Sequence, residues 1–372
     1  MKYKVPFVNY PEHYKRIWNE VIDAISNALS KGDLILRDDV KQFERNMADF
    51  IGVKHAIGLN SGTDALYLSL KAAGIGAGDE VITVAHTFVA TIATIVQCGA
   101  KPILVDVGED MNMDIDQVES KITTKTRAII PVDLNGRLCN MGKLMEIAEK
   151  HDVAVIEDSA QALGAMFNGK KAGAFGLTGC FSFYPAKILG AAGDAGLLTT
   201  DDDRIAERVY LLRDHGVQRS TGETLFYGIN SRLDNIQAAI LNVKFKYLNE
   251  WVKRRRKLAQ LYHQRLSNIP DLKLPPPPSS SGHFYDVYQN YVIRSKKRDQ
   301  LVTHLRESGV EILISWPKPL QHHKALGLSR FHLPKTEQVS NEVLSLPMYP
   351  ELREEDVNYV ADVIQDFYKR QR

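Results

Sequence analysis

The chain opens on a helical rhythm and then changes to a strand-like one. Residues 12–52 place apolar side chains at three- and four-residue spacing, with a polar break at Ser30-Lys31-Gly32-Asp33 and a second amphipathic run over 39–50. From residue 56 to 200, short apolar, β-branched runs at 81–84, 102–107, 128–132, 153–156, 180–183 and 197–200 alternate with helical stretches. Runs that are apolar at successive positions suit strands covered on both faces, and such strands belong to parallel sheets crossed by helices. The pattern predicts an α/β fold, a three-layer α/β/α unit on a mainly parallel sheet.

Residues 233–266 contain neither Gly nor Pro and predict one long helix, a natural connector. Pro275 to Pro278 and Ser279-Ser280-Ser281-Gly282 then break the pattern, because proline lacks a donor and the remainder is turn-forming. A smaller α+β unit should follow, with a strand at 287–294, a helix at 298–308 and a closing helix at 354–370. The expected division is therefore 1–245, the N-terminal segment with the large unit, and 246–372, the small C-terminal unit starting within the long helix. The basic run Lys253-Arg254-Arg255-Arg256-Lys257 reads as a solvated helix face.

Charge and cysteine content narrow the function classes. Among 372 residues, Lys plus Arg number 47 and Asp plus Glu 45, a net charge of +2. That balance does not suit a dedicated nucleic-acid binder and fits small-molecule work. Cys98, Cys139 and Cys180 are odd in number and widely spaced, so neither a disulfide framework nor a thiolate metal site is expected. The N-terminus lacks the apolar core of a signal peptide, and no uncharged stretch reaches the roughly 20 residues that span a bilayer. The expected setting is cytoplasmic, with no membrane partner.

In an open parallel sheet, ligands collect beyond the carboxyl ends of the strands, so the segments just after strands carry the chemistry. Asn60-Ser61-Gly62-Thr63-Asp64 is a small-residue turn feeding a helix, whose free N–H groups, hydroxyl and positive dipole suit a phosphate; read alone, it is sooner a helix cap. The apolar strand at 153–156 ends in Glu157-Asp158, which must face opposite ways. Asp158 shares a face with Ile156 and is the candidate to enter the cleft, where it could hold a proton on a ring nitrogen or bind a metal; read alone, it is equally a helix cap. Finally, Lys187 follows Cys180-Phe181-Ser182-Phe183-Tyr184-Pro185-Ala186 and precedes glycines at 190, 193 and 196. Aromatic and small surroundings can lower an ammonium pKa by desolvation and make the amine a nucleophile for a carbonyl. A phosphate cradle, a carboxylate for a pyridine nitrogen and a nucleophilic lysine are together the fixtures of a pyridoxal phosphate site.

These segments, with Thr87-Phe88-Val89-Ala90-Thr91, Asn230-Ser231-Arg232-Leu233-Asp234 and Leu346-Pro347-Met348-Tyr349-Pro350, resemble the DegT/DnrJ/EryC1/StrS sugar aminotransferases over nearly the whole chain. The resemblance implies the aspartate-aminotransferase-like fold (type I), pyridoxal 5'-phosphate as cofactor, and transfer of an amino group to a nucleotide-linked keto-hexose, with glutamate as donor and 2-oxoglutarate as its product. It further implies that Lys187 forms the Schiff base and carries the 1,3-proton shift, and that Asp158 keeps the pyridine nitrogen protonated. Gln161 would lie by the phenolic oxygen, and Phe88 would stack on the ring. Gly62, Thr63 and Ser182 would hold the phosphate. Asn230 would reach the phosphate of a neighbouring subunit, making the working unit a homodimer with shared sites.

The sequence departs from the family where His is common at Asp133 and Asp286, and where Tyr is usual at Trp316; these positions are expected near substrate. A family dehydratase, an aminocyclitol aminotransferase and a non-catalytic regulator of the same fold are the alternatives. Lys187 speaks against the first, since dehydratases carry His there. The near phosphate loop at 164–171 lacks the final Ser or Thr, Gly74-Ile75-Gly76-Ala77-Gly78 is followed by Asp79 where a dinucleotide fingerprint wants its third glycine, and His322-His323 lacks a metal-binding frame. Neither the attacked carbon, 3 or 4, nor the nucleotide is specified by these motifs.

Overall fold

The computed structural model describes residues 3–279 and 282–370, so Ser280 and Ser281 of the expected break, like Met1 and Lys2, lie outside the described residues. Seven strands form the main sheet. In order across it they are His55–Leu59, Gly196–Thr200, Thr178–Ser182, Ala154–Asp158, Thr126–Ile129, Glu80–Val84 and Lys101–Val105. Only Gly196–Thr200 runs against its neighbours, pairing antiparallel with His55–Leu59 and Thr178–Ser182, while the remaining pairs are parallel. Glu80–Val84 and Gly196–Thr200 are buried at every residue, as strands covered on both faces must be. Six strands therefore send their carboxyl ends to one edge.

One side of the sheet is covered by Gly62–Ala72, whose Leu66, Leu68 and Leu70 are buried, and by Asp203–Leu212. On the other, Tyr10–Lys31 and Asp38–Ile51 pack on Asn235–Phe245. A separate apolar core joins Leu258, Tyr262 and Leu266 to a three-stranded antiparallel sheet of Leu272–Lys273, Tyr291–Ser295 and Val343–Leu346, with helices Arg298–Glu307 and Glu354–Arg370. Val5 belongs to this core and bridges to Val310. Among the described residues, no helix is long and apolar enough to cross a membrane.

Three expectations need correction. The helix expected over 233–266 is two helices, Asn235–Phe245 and Leu248–Leu266. The backbone tightens between them, with Lys246 N–H on Val243 O and Tyr247 N–H on Lys244 O. The Tyr247 hydroxyl and the Lys246 ammonium both go to Glu20, far away in sequence. The strand expected at 287–294 begins only at Tyr291, because the preceding residues leave the sheet: Val287 N–H donates to Gly136 O at 2.9 Å, and Tyr288 takes a left-handed φ of 51°.

The basic run at 253–257 is a solvated face only in part: Lys253 and Lys257 are exposed, while the arginines turn to partners. Arg254 and Lys257 hold Glu354, Arg256 donates to Asp286 O, and Arg255 is buried with its guanidinium on the carbonyls of Tyr288, Gln289 and Met348. Five cations in a row gave no sign that one would face inward, where a guanidinium must find acceptors.

Candidate functional site

The phosphate-type turn sits at the end of His55–Leu59. Ser61 caps the helix Gly62–Ala72, accepting Asp64 N–H on its Oγ at 3.0 Å, so the cap reading is correct as far as it goes. It does not account for the N–H groups of the first turn at Gly62 and Thr63, which have no acceptor within the helix. A Cβ at Gly62 would stand 2.9 Å from Ser182 Cβ, and one at Gly196 would stand 2.2 Å from Ser61 C and O. The two glycines let the helix start seat directly against the end of Thr178–Ser182. Gly62, Thr63 and Ser182 thus form a small polar cradle at the positive end of a helix, which fits a phosphate.

Asp158 closes the strand Ala154–Asp158 and is buried. Its Oδ2 accepts the Thr91 hydroxyl at 2.7 Å and Oδ1 accepts Ala160 N–H at 3.4 Å. Burial pushes its carboxyl above the ordinary carboxylate range, while Thr91, Ala160 N–H and the charge of Lys187 pull it back. Glu157, pointing the other way, accepts N–H groups from Gly173, Phe175 and Gly176 at 2.7–2.9 Å, and burial raises it to about 7. Glu157 is therefore a staple for the 173–176 turn, and Asp158 is the carboxylate nearer the amine. Thr91 was quoted in the sequence motif without a role. It lies one turn into Val89–Gln97 and links Asp158 to Thr87 Oγ1 at 2.8 Å. Phe88 begins that helix with its ring 59% exposed, a free apolar face beside these hydroxyls.

Lys187 lies in the turn after Thr178–Ser182, its N–H on Tyr184 O at 2.8 Å. The residue is half-buried and faces a cleft of about 340 Å³ shared with Gln161, Gln289, Trp316, Met348 and Phe7. Burial lowers its amine to about 8, against the opposing pull of Asp158. Gln161 Oε1 accepts Asn135 N–H at 2.8 Å, which leaves the amide NH2 as the end suited to an anionic oxygen. Asn230 is exposed and hydrogen-bonded to Arg232, and it lines no wall of this cleft. Its neighbour Ser231 ties the segment to the cradle by donating to Asp64 and accepting Asn60 N–H.

Of the three departures, only Trp316 lies on the cleft. Asp133 is fully buried, packed beside Ser159, which donates to its Oδ2 at 2.7 Å, while Oδ1 has no hydrogen-bond partner. Burial and then the neighbouring Glu157 push its carboxyl well above the ordinary range. Asp286 accepts two bonds from Arg137 Nη1, at 2.8 and 3.0 Å, in a side pocket with Tyr288 and Asn290.

The lowered amine gives a stability prediction for the cofactor-free protein. A lysine whose folded value is about 8 against an ordinary 10.5 binds fewer protons folded than unfolded, so stability rises with pH across that window. Replacing Lys187 by Met is expected to stabilise the cofactor-free protein below pH 8, a gain that fades toward pH 10.5. Denaturant melts at pH 7 and pH 10 check this, and an equal difference at both would contradict it.

A lysine, a buried carboxylate and a polar cradle suited to a phosphate lie at one edge of this sheet. A model of the DegT/DnrJ/EryC1/StrS aminotransferase family matches residues 15–365, and the chain belongs to that pyridoxal-phosphate-dependent family. It is 42% identical over 369 residues to the "Pleiotropic regulatory protein" of Geobacillus stearothermophilus, covering 98% of this chain and 99% of that one. It is 40% identical over 363 residues to UDP-N-acetyl-3-dehydro-alpha-D-glucosamine 3-aminotransferase of Acidithiobacillus ferrooxidans, covering 97% of each. The crystal structure of S. venezuelae DesV in complex with a ketimine intermediate superposes with a TM-score of 0.94 at 36% identity, covering 98% of this chain and 99% of that one.

Proposed function

We propose that this protein transfers the amino group of glutamate to a keto-hexose carried on a nucleotide, at carbon 3 of the sugar, the position named for the Acidithiobacillus relative. The observation that carries the reading is the pairing of a desolvated amine, Lys187, with the buried carboxylate Asp158 and with Gln161 at one end of the sheet. When bound, pyridoxal 5'-phosphate supplies a carbonyl for the incoming amine and a ring that takes up the electron pair released at the reacting carbon.

The chain's own residues do the rest. Lys187 Nζ takes the proton from the substrate carbon as base and returns it as acid, work suited to an amine near pH 8. Asp158, whose carboxylate accepts the Thr91 hydroxyl and Ala160 N–H, would hold a proton on the ring nitrogen. Gln161 would donate to the ring oxygen, Phe88 would cover a ring face, and Gly62, Thr63 and Ser182 would hold the phosphate. Asn230 of the partner subunit completes the phosphate site, so the working unit is a homodimer with shared sites. Its exposure and its tie to the cradle through Ser231 support that role. The division into 1–245 and 246–372 belongs to this proposal, supported by the break at Lys246-Tyr247 and the separate C-terminal core. Three buried free cysteines support a cytoplasmic setting.

The test is a half-reaction screen. Glutamate and a nucleotide-linked 3-aminosugar should each convert the loaded protein to its amine form, read as loss of visible absorbance; a response to the 4-amino isomer alone would overturn the position. For the dimer, inactive Lys187→Ala and inactive Asn230→Asp chains should recover activity on mixing. No recovery after proven subunit exchange would contradict sharing.

A further inference from the structure

The segment that left the sheet at 287–290 carries a buried amide whose two ends are both committed to the turn that bears Lys187. Gln289 Oε1 accepts Ile188 N–H at 2.8 Å, and its Nε2 donates to Ala186 O at 2.8 Å. These are the backbone groups on either side of Lys187. Their polarity fixes the amide's orientation, because a flipped amide would set donor against donor and acceptor against acceptor.

The turn itself is tightly folded. Ala191 N–H donates to Phe183 O at 2.8 Å, and a Cβ at Gly190 would stand 2.3 Å from Pro185 O, so only glycine permits this closure. From behind, Arg255 grips the main chain of the same segment, its Nη1 on the carbonyls of Tyr288, Gln289 and Met348 at 2.9–3.2 Å. The left-handed Tyr288 and the close seating of Gly136, where a Cβ would stand 2.8 Å from Tyr288 N and Gln289 N, leave this strand end little room to shift.

We infer that Gln289 is a positioning residue for the amino-group transfer: it holds the peptide groups flanking Lys187 so that the amine is delivered into the cleft toward the reacting carbon, with Arg255 fixing Gln289 from behind. The inference rests on the reading that Lys187 is the reacting amine. Nothing local in the sequence signals it, since the clamp and its target are 101 residues apart. The charged groups near the amide are Arg255, bonded to the main-chain carbonyl of Gln289, and Lys187 in the same cleft.

The amide's two-ended commitment supplies the test. Gln289→Met preserves bulk and removes both bonds. It should lower kcat by about 10- to 100-fold, the scale of a displacement near 1 Å at a reacting group, with KM for both substrates within threefold of wild type. Gln289→Glu has nearly the wild-type shape but, when ionised, faces Ala186 O with an acceptor. Its kcat relative to wild type should be depressed at pH 8 and climb toward one as the introduced carboxyl is protonated, which restores a donor beside the acceptor.

In the cofactor-free protein, labelling of Lys187 by an amine-reactive ester should show its pKa rising from about 8 toward the ordinary value in Gln289→Met, as a loosened turn lets the amine reach water. A Gln289→Glu ratio flat at one across pH, or a loss confined to melting temperature with kcat and labelling unchanged, would overturn the inference. If Lys187→Ala itself kept turnover, the failure would lie instead with the reading of Lys187.

Discussion

Lys187→Ala is expected to lower kcat by on the order of 10⁴-fold or more, because one substitution removes both the attachment point of the cofactor and the acid–base group that moves the substrate proton. The prediction follows from position: among the residues facing the cleft with Gln161 and Trp316, Lys187 alone carries an amine, and burial lowers that amine to about 8, where it can act as a base near neutral pH. Cofactor should still bind without a covalent link, since the cradle at Gly62, Thr63 and Ser182 is untouched. A small added amine should restore part of the rate, in proportion to its concentration. Turnover within tenfold of wild type would remove Lys187 from the mechanism.

Asp158→Asn should lower kcat by on the order of 10³-fold with little change in fold. The amide fills the same space and can still accept the Thr91 hydroxyl, but it cannot hold a proton on a ring nitrogen, so the charge developing at the reacting carbon loses its sink. Removing a buried carboxylate that burial already disfavours should not destabilise the protein, so melting temperature separates this loss from misfolding. A rate near wild type would show that Asp158 is not the nitrogen's partner. Substitution of Glu157 by Gln should act oppositely: it disturbs the 173–176 turn and hence stability, through the N–H groups of Gly173, Phe175 and Gly176.

The parts of this molecule legible in the sequence are those whose signal is local. A mainly apolar run that leads into a turn, as at 153–156 or 180–183, announces itself within ten residues, and the alternation of such units gave the sheet and its cofactor edge. His55–Leu59 is less legible as a strand because it carries Gly58, required where Leu233 presses to within 2.9 Å of the place a Cβ would occupy. The break at Lys246-Tyr247 depends on Glu20, the inward turn of Arg255 on three distant carbonyls, and the late start of the strand at Tyr291 on Gly136. Each is a tertiary contact with no trace at its own position. The same holds for Thr91 beneath Asp158 and for Gln289 beside Lys187, which act through partners 67 and about 100 residues away. Asp133 and Asp286 are expected near substrate as positions where the resembled family commonly has His. The structure spends one in the buried layer with Glu157 and the other on Arg137.

The most direct measurement of the central claim is borohydride reduction of the loaded protein followed by peptide mapping. The account predicts a pyridoxyl phosphate group on Nζ of Lys187 and on no other lysine, Lys244 included, although burial lowers that amine to about 8 as well. A label on another lysine, or none in protein that retains its visible absorbance, would contradict it.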